Sequence, residues 1–220
     1  MATAVAIALV TAATTHTEAQ NVAGNSSVQV RTLPTPARKS TMTLMKALEQ
    51  RHSVRAFNPS RQVADGVLAD LLWAACGINR PGSKKITAPS AINAQDICLY
   101  VCTADGAWLY EADKNRLKLV STKDLRTAAA GRQKEVAEAP LFLVLVSDKS
   151  RFGKIKEGTD MMGAVDAGYV SQNICLACTA LGLATVPRMT MDNVALKEAL
   201  QLGDNHLLLL NHPVGYPKKQ

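Results

Sequence analysis

Between residues 161 and 181 the apolar positions recur at helical spacing, and most positions between them are small: Ala164, Ala167, Gly168, Ser171, Ala177 and Ala180. A helix of that kind lets another backbone come close and is expected to be buried on most sides. Gly182 is placed to stop it. Residues 183–186 then turn strand-like, and Pro187 ends the run with Arg188 just beyond. Upstream, residues 44–50 read as a short helix. Residues 63–78 read as an amphipathic one, with Val67, Leu68, Leu71, Leu72 and Ala75 on a single face and residues 79–82 closing it. Residues 83–85 are expected in an exposed loop. Asp105-Gly106 signals a hairpin between strands at 97–103 and 107–110, with a further strand at 117–120. Residues 122–130 read as a helix capped by Ser121 or Thr122. The unbroken apolar run 141–147 reads as a central strand. Residues 193–200 are expected as a helix, 207–210 as a buried strand and 213–217 as a turn. This order predicts an α+β fold: a mixed, mainly antiparallel central sheet flanked by helices.

The chain has 220 residues and is 47% hydrophobic but only 4% aromatic, so the core must be aliphatic. Residues 1–30 stand apart in composition, and residues 1–40 read as a signal peptide and extended arm. The start is small and apolar, too short to span a bilayer. It reads either as a secretory signal lacking its basic leader, with Thr17-Glu18-Ala19 as cleavage site, or as an Ala/Thr-rich tail. Export is the favoured expectation. Residues 28–40 read as a linker or extended arm, and residues 41–220 as one domain. The net charge of +7 would suit nucleic acid, but the basic residues are scattered, and a phosphate-bearing small molecule explains them equally well.

Two segments carry candidate chemistry. Arg51, His52, Ser53 and Arg55 follow a helix end and make a compact anion site, since guanidinium groups fork onto phosphate and serine adds a short donor. Residues 87–96 are polar and small, a loop able to lay backbone N–H groups and amides against a flat heterocycle. No dinucleotide fingerprint, phosphate-binding loop or nucleophile elbow is present. The histidines His16, His52, His206 and His212 and the five cysteines lack zinc spacing, so no metal is expected, and Cys175-x-x-Cys178 sits inside the long helix. Small buried hydrophobes are the expectation for Cys76, Cys98, Cys102, Cys175 and Cys178.

Together the segments resemble the FMN-dependent nitroreductase family, in particular its SagB-like branch, over nearly all of the chain outside the amino-terminal tail. The resemblance rests on four motifs in order: Arg51, Ser53, Arg55 and Phe57; Pro89, Ser90, Ala91, Asn93 and Gln95; residues 180–187; and residues 214–217. It implies that Arg51, His52, Ser53 and Arg55 hold the phosphate, ribityl chain and pyrimidine edge of FMN, with Arg55 as electrostatic stabiliser. It implies that Pro89, Ser90, Ala91 and Asn93 come from the partner of a homodimer, with the long helix at the interface. Pro187, Arg188 and Met189 would lie along the ring near N5, where some relatives carry an acidic residue or glycine, and Lys218 and Lys219 would reach the phosphate. The implied activity is ping-pong hydride transfer through flavin N5, with no catalytic side chain, from NAD(P)H or another reduced donor to a nitroaromatic, quinone or similar acceptor. The alternative is a non-catalytic FMN-binding or flavin-sequestering protein of the same fold. Neither nucleic acid nor stable membrane insertion is implied.

Overall fold

The computed structural model describes residues 29–218; the export expectation for residues 1–19 and the phosphate contact expected of Lys219 lie outside the described residues. Seven strands form one sheet in the order β1-β6-β5-β4-β7-β9-β8: β1 (Val30–Thr32), β4 (Ile97–Thr103), β5 (Gly106–Glu111), β6 (Arg116–Ser121), β7 (Leu141–Asp148), β8 (Ala184–Thr185) and β9 (His206–Gly215). Every pair in it is antiparallel. The mainly antiparallel α+β expectation is therefore met. β2 (Ile78–Arg80) and β3 (Lys85–Ile86) form a separate two-stranded hairpin.

Helices cover both faces of the sheet. On one, α2 (Asp65–Cys76) and α4 (Thr159–Ala180) pack Leu68, Leu71, Leu72, Val170 and Ile174 onto Leu99, Val101, Leu143 and Leu145. On the other, α3 (Arg126–Ala130) and α5 (Asn193–Ala199) meet Tyr100, Cys102, Phe142, Val144 and Val146. Alternate residues of β7 thus enter different cores, which is why its sequence is apolar throughout. α1 (Leu44–Gln50) begins at Thr43, whose hydroxyl accepts the Lys46 N–H at 3.2 Å. All five cysteines are buried and free. None of the described helices is long and apolar enough to cross a membrane.

α4 ends in a hydrogen-bonded glycine cap. Leu183 N–H donates to the Cys178 carbonyl at 2.8 Å, Gly182 N–H donates to the Thr179 carbonyl at 3.2 Å, and Gly182 takes φ +68°. The helix is not buried on most sides, however. Met161, Ala164, Val165, Gly168, Tyr169 and Gln172 form an exposed stripe along it.

Elsewhere the boundaries shift for local reasons. α3 starts four residues later than expected, because the Asp124 carboxylate accepts the Arg126 N–H at 3.0 Å and holds a turn where the helix would have begun. The loop expected at 83–85 is partly β3. The turn expected at 213–217 is largely strand, for β9 runs on to Gly215. It is half-buried over 207–210 and fully buried only from Asn211. Pro213 is tolerated because β8 pairs only with Val214 and Gly215, leaving β9 an edge at that point. The arm is partly β1 and is strapped down: Asn115 Nδ2 donates to the carbonyls of Leu33 and Pro34, and the Arg38 N–H donates to Asp70.

Candidate functional site

The segment after α1 is held by its backbone, which frees its side chains. Arg51 caps the helix by donating its N–H to the Ala47 carbonyl at 2.9 Å. Val54 N–H donates to the Thr185 carbonyl of β8 at 3.0 Å. Phe57 is fully buried and bridged to Pro217, while Lys218 N–H donates to the Ala56 carbonyl at 3.1 Å. The carboxyl end of the chain therefore runs antiparallel to residues 56–58 and sets Lys218 opposite Ala56. His52, Ser53, Arg55 and Lys218 are exposed. His52 Nδ1 lies 2.8 Å from the Gln50 carbonyl. Among the described residues Arg51, Arg55 and Lys218 form no ion pair.

Residues 187–189 adjoin this cluster, but not as expected. Arg188 is only 6% exposed. Its Nε donates to Gln133 Oε1 at 2.6 Å, Nη1 to Asn211 Oδ1 at 2.8 Å and the Ala129 carbonyl at 3.3 Å, and Nη2 to the Ala130 carbonyl at 2.6 Å. The guanidinium is thus committed to joining α3 to β9 and is not free to lie along a ligand. Burial pulls its pKa below the usual range, Arg55 pulls it further down, and Glu135 opposes them. Met189, by contrast, is 76% exposed.

The Ser/Asn loop lies elsewhere. Ile92, Asn93 and Gln95 take positive φ of 50°, 59° and 50°, a strained path held from several directions. Ser90 Oγ accepts the Gln95 N–H at 2.9 Å. Both oxygens of Asp166 on α4 accept the Ala91 N–H, at 2.9 and 3.1 Å. Pro89, Ser90 and Ala91 line a largely apolar cavity of about 340 Å³ with Met161, Met162, Val165 and Tyr169. Arg51 belongs to a different stretch of the helix: burial pushes the Cys175 thiol up, and Arg51 lies close enough to pull it the other way. Asp166 and Cys175 are nine residues apart on α4. That is about 14 Å along the axis and half a turn round it, so the two segments meet α4 at different levels and on different sides.

One chain therefore gathers Arg51–Arg55, residues 187–189 and Lys218, and holds Pro89, Ser90, Ala91 and Asn93 apart from them. A family model for the Nitroreductase family matches residues 48–216. The chain belongs to the nitroreductase family. It is 27% identical over 182 residues to a Methanocaldococcus jannaschii protein assigned as a nitroreductase, covering 78% of this chain and 90% of that one. A crystal structure from Ralstonia eutropha, also assigned as a nitroreductase, is 33% identical, covers 90% of this chain and 93% of its own, and superposes with a TM-score of 0.81. A Parabacteroides distasonis structure assigned as an NADH dehydrogenase/NAD(P)H nitroreductase shares the fold at 19% identity and a TM-score of 0.57, covering 80% and 88%. As a nitroreductase-family member the chain is an oxidoreductase. Members of the family generally bind FMN and use NAD(P)H.

Reading the sequence of this nitroreductase-family chain did not single out Asp96, Gln133, Ser147, Asp166 or Asn211. Asp166 had a detectable signal, a carboxylate within the small-residue stretch 163–168. The other four have none, because each owes its part to a neighbour distant in sequence.

Proposed function

We propose that the chain is an FMN-dependent oxidoreductase that takes hydride from NAD(P)H or another reduced donor and passes it to a nitroaromatic, quinone or similar acceptor in alternating half-reactions. The observation that carries this is the surplus of positive charge. Arg51, Arg55 and Lys218 stand on two adjoining segments with no ion pair among the described residues, and Arg55 stands close enough to Arg188 for the two to repel. Such a cluster suits a phosphate and an electron-rich ring edge. Arg51 and Lys218 would hold the phosphate, with the Ser53 hydroxyl and the His52 ring along the ribityl chain. Arg55 would favour negative charge arriving at the ring edge. FMN, when bound, accepts and returns the hydride, so no side chain need act as acid or base. The Arg188 side chain stays out of this scheme, while its neighbours Pro187 and Met189 bound the ring's side of the slot.

The site closes as a homodimer in this reading. The stripe Met161, Ala164, Val165, Gly168, Tyr169 and Gln172 is exposed on the single chain. Leu44, Met45 and Leu48 of α1 are exposed as well. If two α4 helices pack stripe to stripe about a two-fold axis perpendicular to them, each point is carried to the opposite end of the helix. The Ala91 loop held at Asp166 on one copy then arrives at the level of Cys175 and Arg51 on the other. Small residues in the stripe favour that close approach.

The absorption spectrum of the protein purified with FMN tests the reading. A yellow protein whose flavin bleaches on stopped-flow mixing with NADH or NADPH and recovers with a quinone is expected. A colourless protein that takes up no FMN would end it. Export, expected from residues 1–19, stays part of the proposal, with the mass of the mature amino terminus as its test.

A further inference from the structure

Asp96 and Asp166 are carboxylates from different parts of the chain that meet beneath the Ser/Asn loop. Asp96 closes the loop and is 0% exposed; Asp166 is 2% exposed. The Asp96 Oδ2 accepts the Ser147 hydroxyl of β7, and its backbone carbonyl accepts the Asp148 N–H at 2.9 Å. The other oxygen, Oδ1, is buried with no hydrogen-bond partner. Asp166 lies within hydrogen-bonding reach of Asp96. The approach depends on Gly163: a Cβ there would stand 2.4 Å from Ser147 Oγ and 3.4 Å from Asp96 Oδ2.

We infer that Asp96 and Asp166 hold one proton between them and, through it, position the Ser90–Asn93 segment that forms the second half of the cofactor site. Two buried carboxylates in contact cannot both stay charged, and a shared proton is the donor that one orphaned oxygen lacks. With the proton in place, Asp166 can accept the Ala91 N–H without facing a second naked charge. The loop needs such an anchor, since three of its non-glycine residues sit in left-handed conformations that cost about 1 kcal/mol or more each. Asp96 and Asp166 are positioning residues: they act through Ala91 and touch no ligand themselves.

Burial first, and Asp96 with it, push the Asp166 carboxyl up to about 6, while the Ala91 N–H works the other way. A carboxyl raised on folding contributes fully below its unfolded value of about 4, and the contribution is lost as pH climbs through about 6. The proton then leaves to solvent and the pair carries two charges. The surrounding titratable groups come from every packed element. Cys98 follows Asp96 on β4. Asp148 follows Ser147 on β7. Arg151 donates to the Gln95 carbonyl at 2.7 Å and to Cys98 Sγ at 3.6 Å, and Lys149 pairs with Asp160 of α4 at 3.0 Å. Arg151 and Lys149 are thus engaged with these neighbours and not with Asp166.

Amide hydrogen exchange of the full chain without added FMN, followed by mass spectrometry from pH 5 to 8 and corrected for intrinsic rates, tests the pair. Protection of residues 89–96 is expected to fall about tenfold or more above pH 6, while β7 stays protected. Asp166→Asn carries an amide in place of the acid and should lose the pH dependence. Constant protection in the wild type, or an unchanged profile in the variant, overturns the inference. If the variant does not fold, the wild-type profile alone decides. The consequence for the cofactor rests on the function proposed above. There, the Kd of the variant divided by that of the wild type, read from FMN fluorescence, should fall about tenfold from pH 5.5 to 8, the titration of the FMN phosphate being common to both. No FMN binding by either protein would overturn the cofactor reading, and the exchange profile would still decide the proton pair.

Discussion

Arg188 and Asn211 hold each other through both backbone and side chain. Arg188 N–H donates to the Asn211 carbonyl at 2.9 Å, Asn211 N–H donates back at 2.7 Å, and Arg188 Nη1 meets Asn211 Oδ1 at 2.8 Å. The guanidinium goes on to Gln133 and two carbonyls of α3. Arg188→Ala removes the donor to three buried acceptors and to Gln133 at once, so a loss of about 3 kcal/mol is expected. Thermal melting of the FMN-free protein checks it. A melting point unchanged by the substitution would mean that the cluster contributes nothing to the fold.

Arg55 should behave in the opposite way. Arg55→Ala is expected to weaken FMN binding about 10- to 100-fold, the value of one charged hydrogen bond, and to lower the flavin reduction potential. Because Arg55 repels the buried Arg188, the FMN-free variant should melt no lower than the wild type. Fluorescence titration, potentiometry and melting together read these signs, and an unchanged affinity would remove Arg55 from the site.

Two glycines of α4 separate packing within the subunit from the packing between subunits proposed above. At Gly163 an added methyl would meet Ser147 Oγ at 2.4 Å, whereas at Gly168 nothing lies within 4 Å. Gly163→Ala should cost about 1–3 kcal/mol in urea denaturation. Gly168→Ala should stabilise the isolated subunit by up to about 1 kcal/mol, through helix propensity, and weaken self-association. Sedimentation equilibrium measures the second effect; tighter association in Gly168→Ala would argue against stripe-to-stripe packing.

His212 gives the fold an acid-sensitive term. It is fully buried between the Ser171 and Thr185 hydroxyls, at 2.9 and 3.2 Å, and burial pulls it from 6.5 down to about 3. A histidine depressed on folding binds its proton in the unfolded chain first, so stability should fall as pH drops from about 6.5 towards 3, by about 1.4 kcal/mol per unit at most. The raised Asp166 slopes the other way between about 4 and 6, so the wild-type profile should look flat there. Asp166→Asn should expose the histidine slope in denaturation curves taken across that range; a flat profile in the variant would count against a neutral His212.

Local pattern made the elements of the sheet core legible. The β4 expectation coincides with Ile97–Thr103 and the α1 expectation with Leu44–Gln50, because hydrophobic period and a capping hydroxyl are properties of neighbouring residues. The Arg51–Arg55 cluster was legible for the same reason. Two of the misplacements trace to a contact made across the fold. β9 outruns its predicted end because β7 pairs with it as far as Val214. Arg188, read as a ligand contact, is claimed by Gln133 and Asn211, 55 and 23 residues away. The exposed stripe of α4 reads in sequence like any buried face, since apolar spacing says that a side is covered and not by which molecule.

On its own, the order of residues determined where most of the elements fall along the chain, the α+β class and the cluster of basic groups after α1, all of which depend on spacings of a few residues. Tertiary structure decided the rest: which arginine is free and which is spent on packing, that Asp96 and Asp166 share one buried space, and that the two halves of the site meet α4 at different levels and on different sides. Those outcomes depend on desolvation and on distances between segments far apart in the chain, and neither quantity exists until the chain has folded.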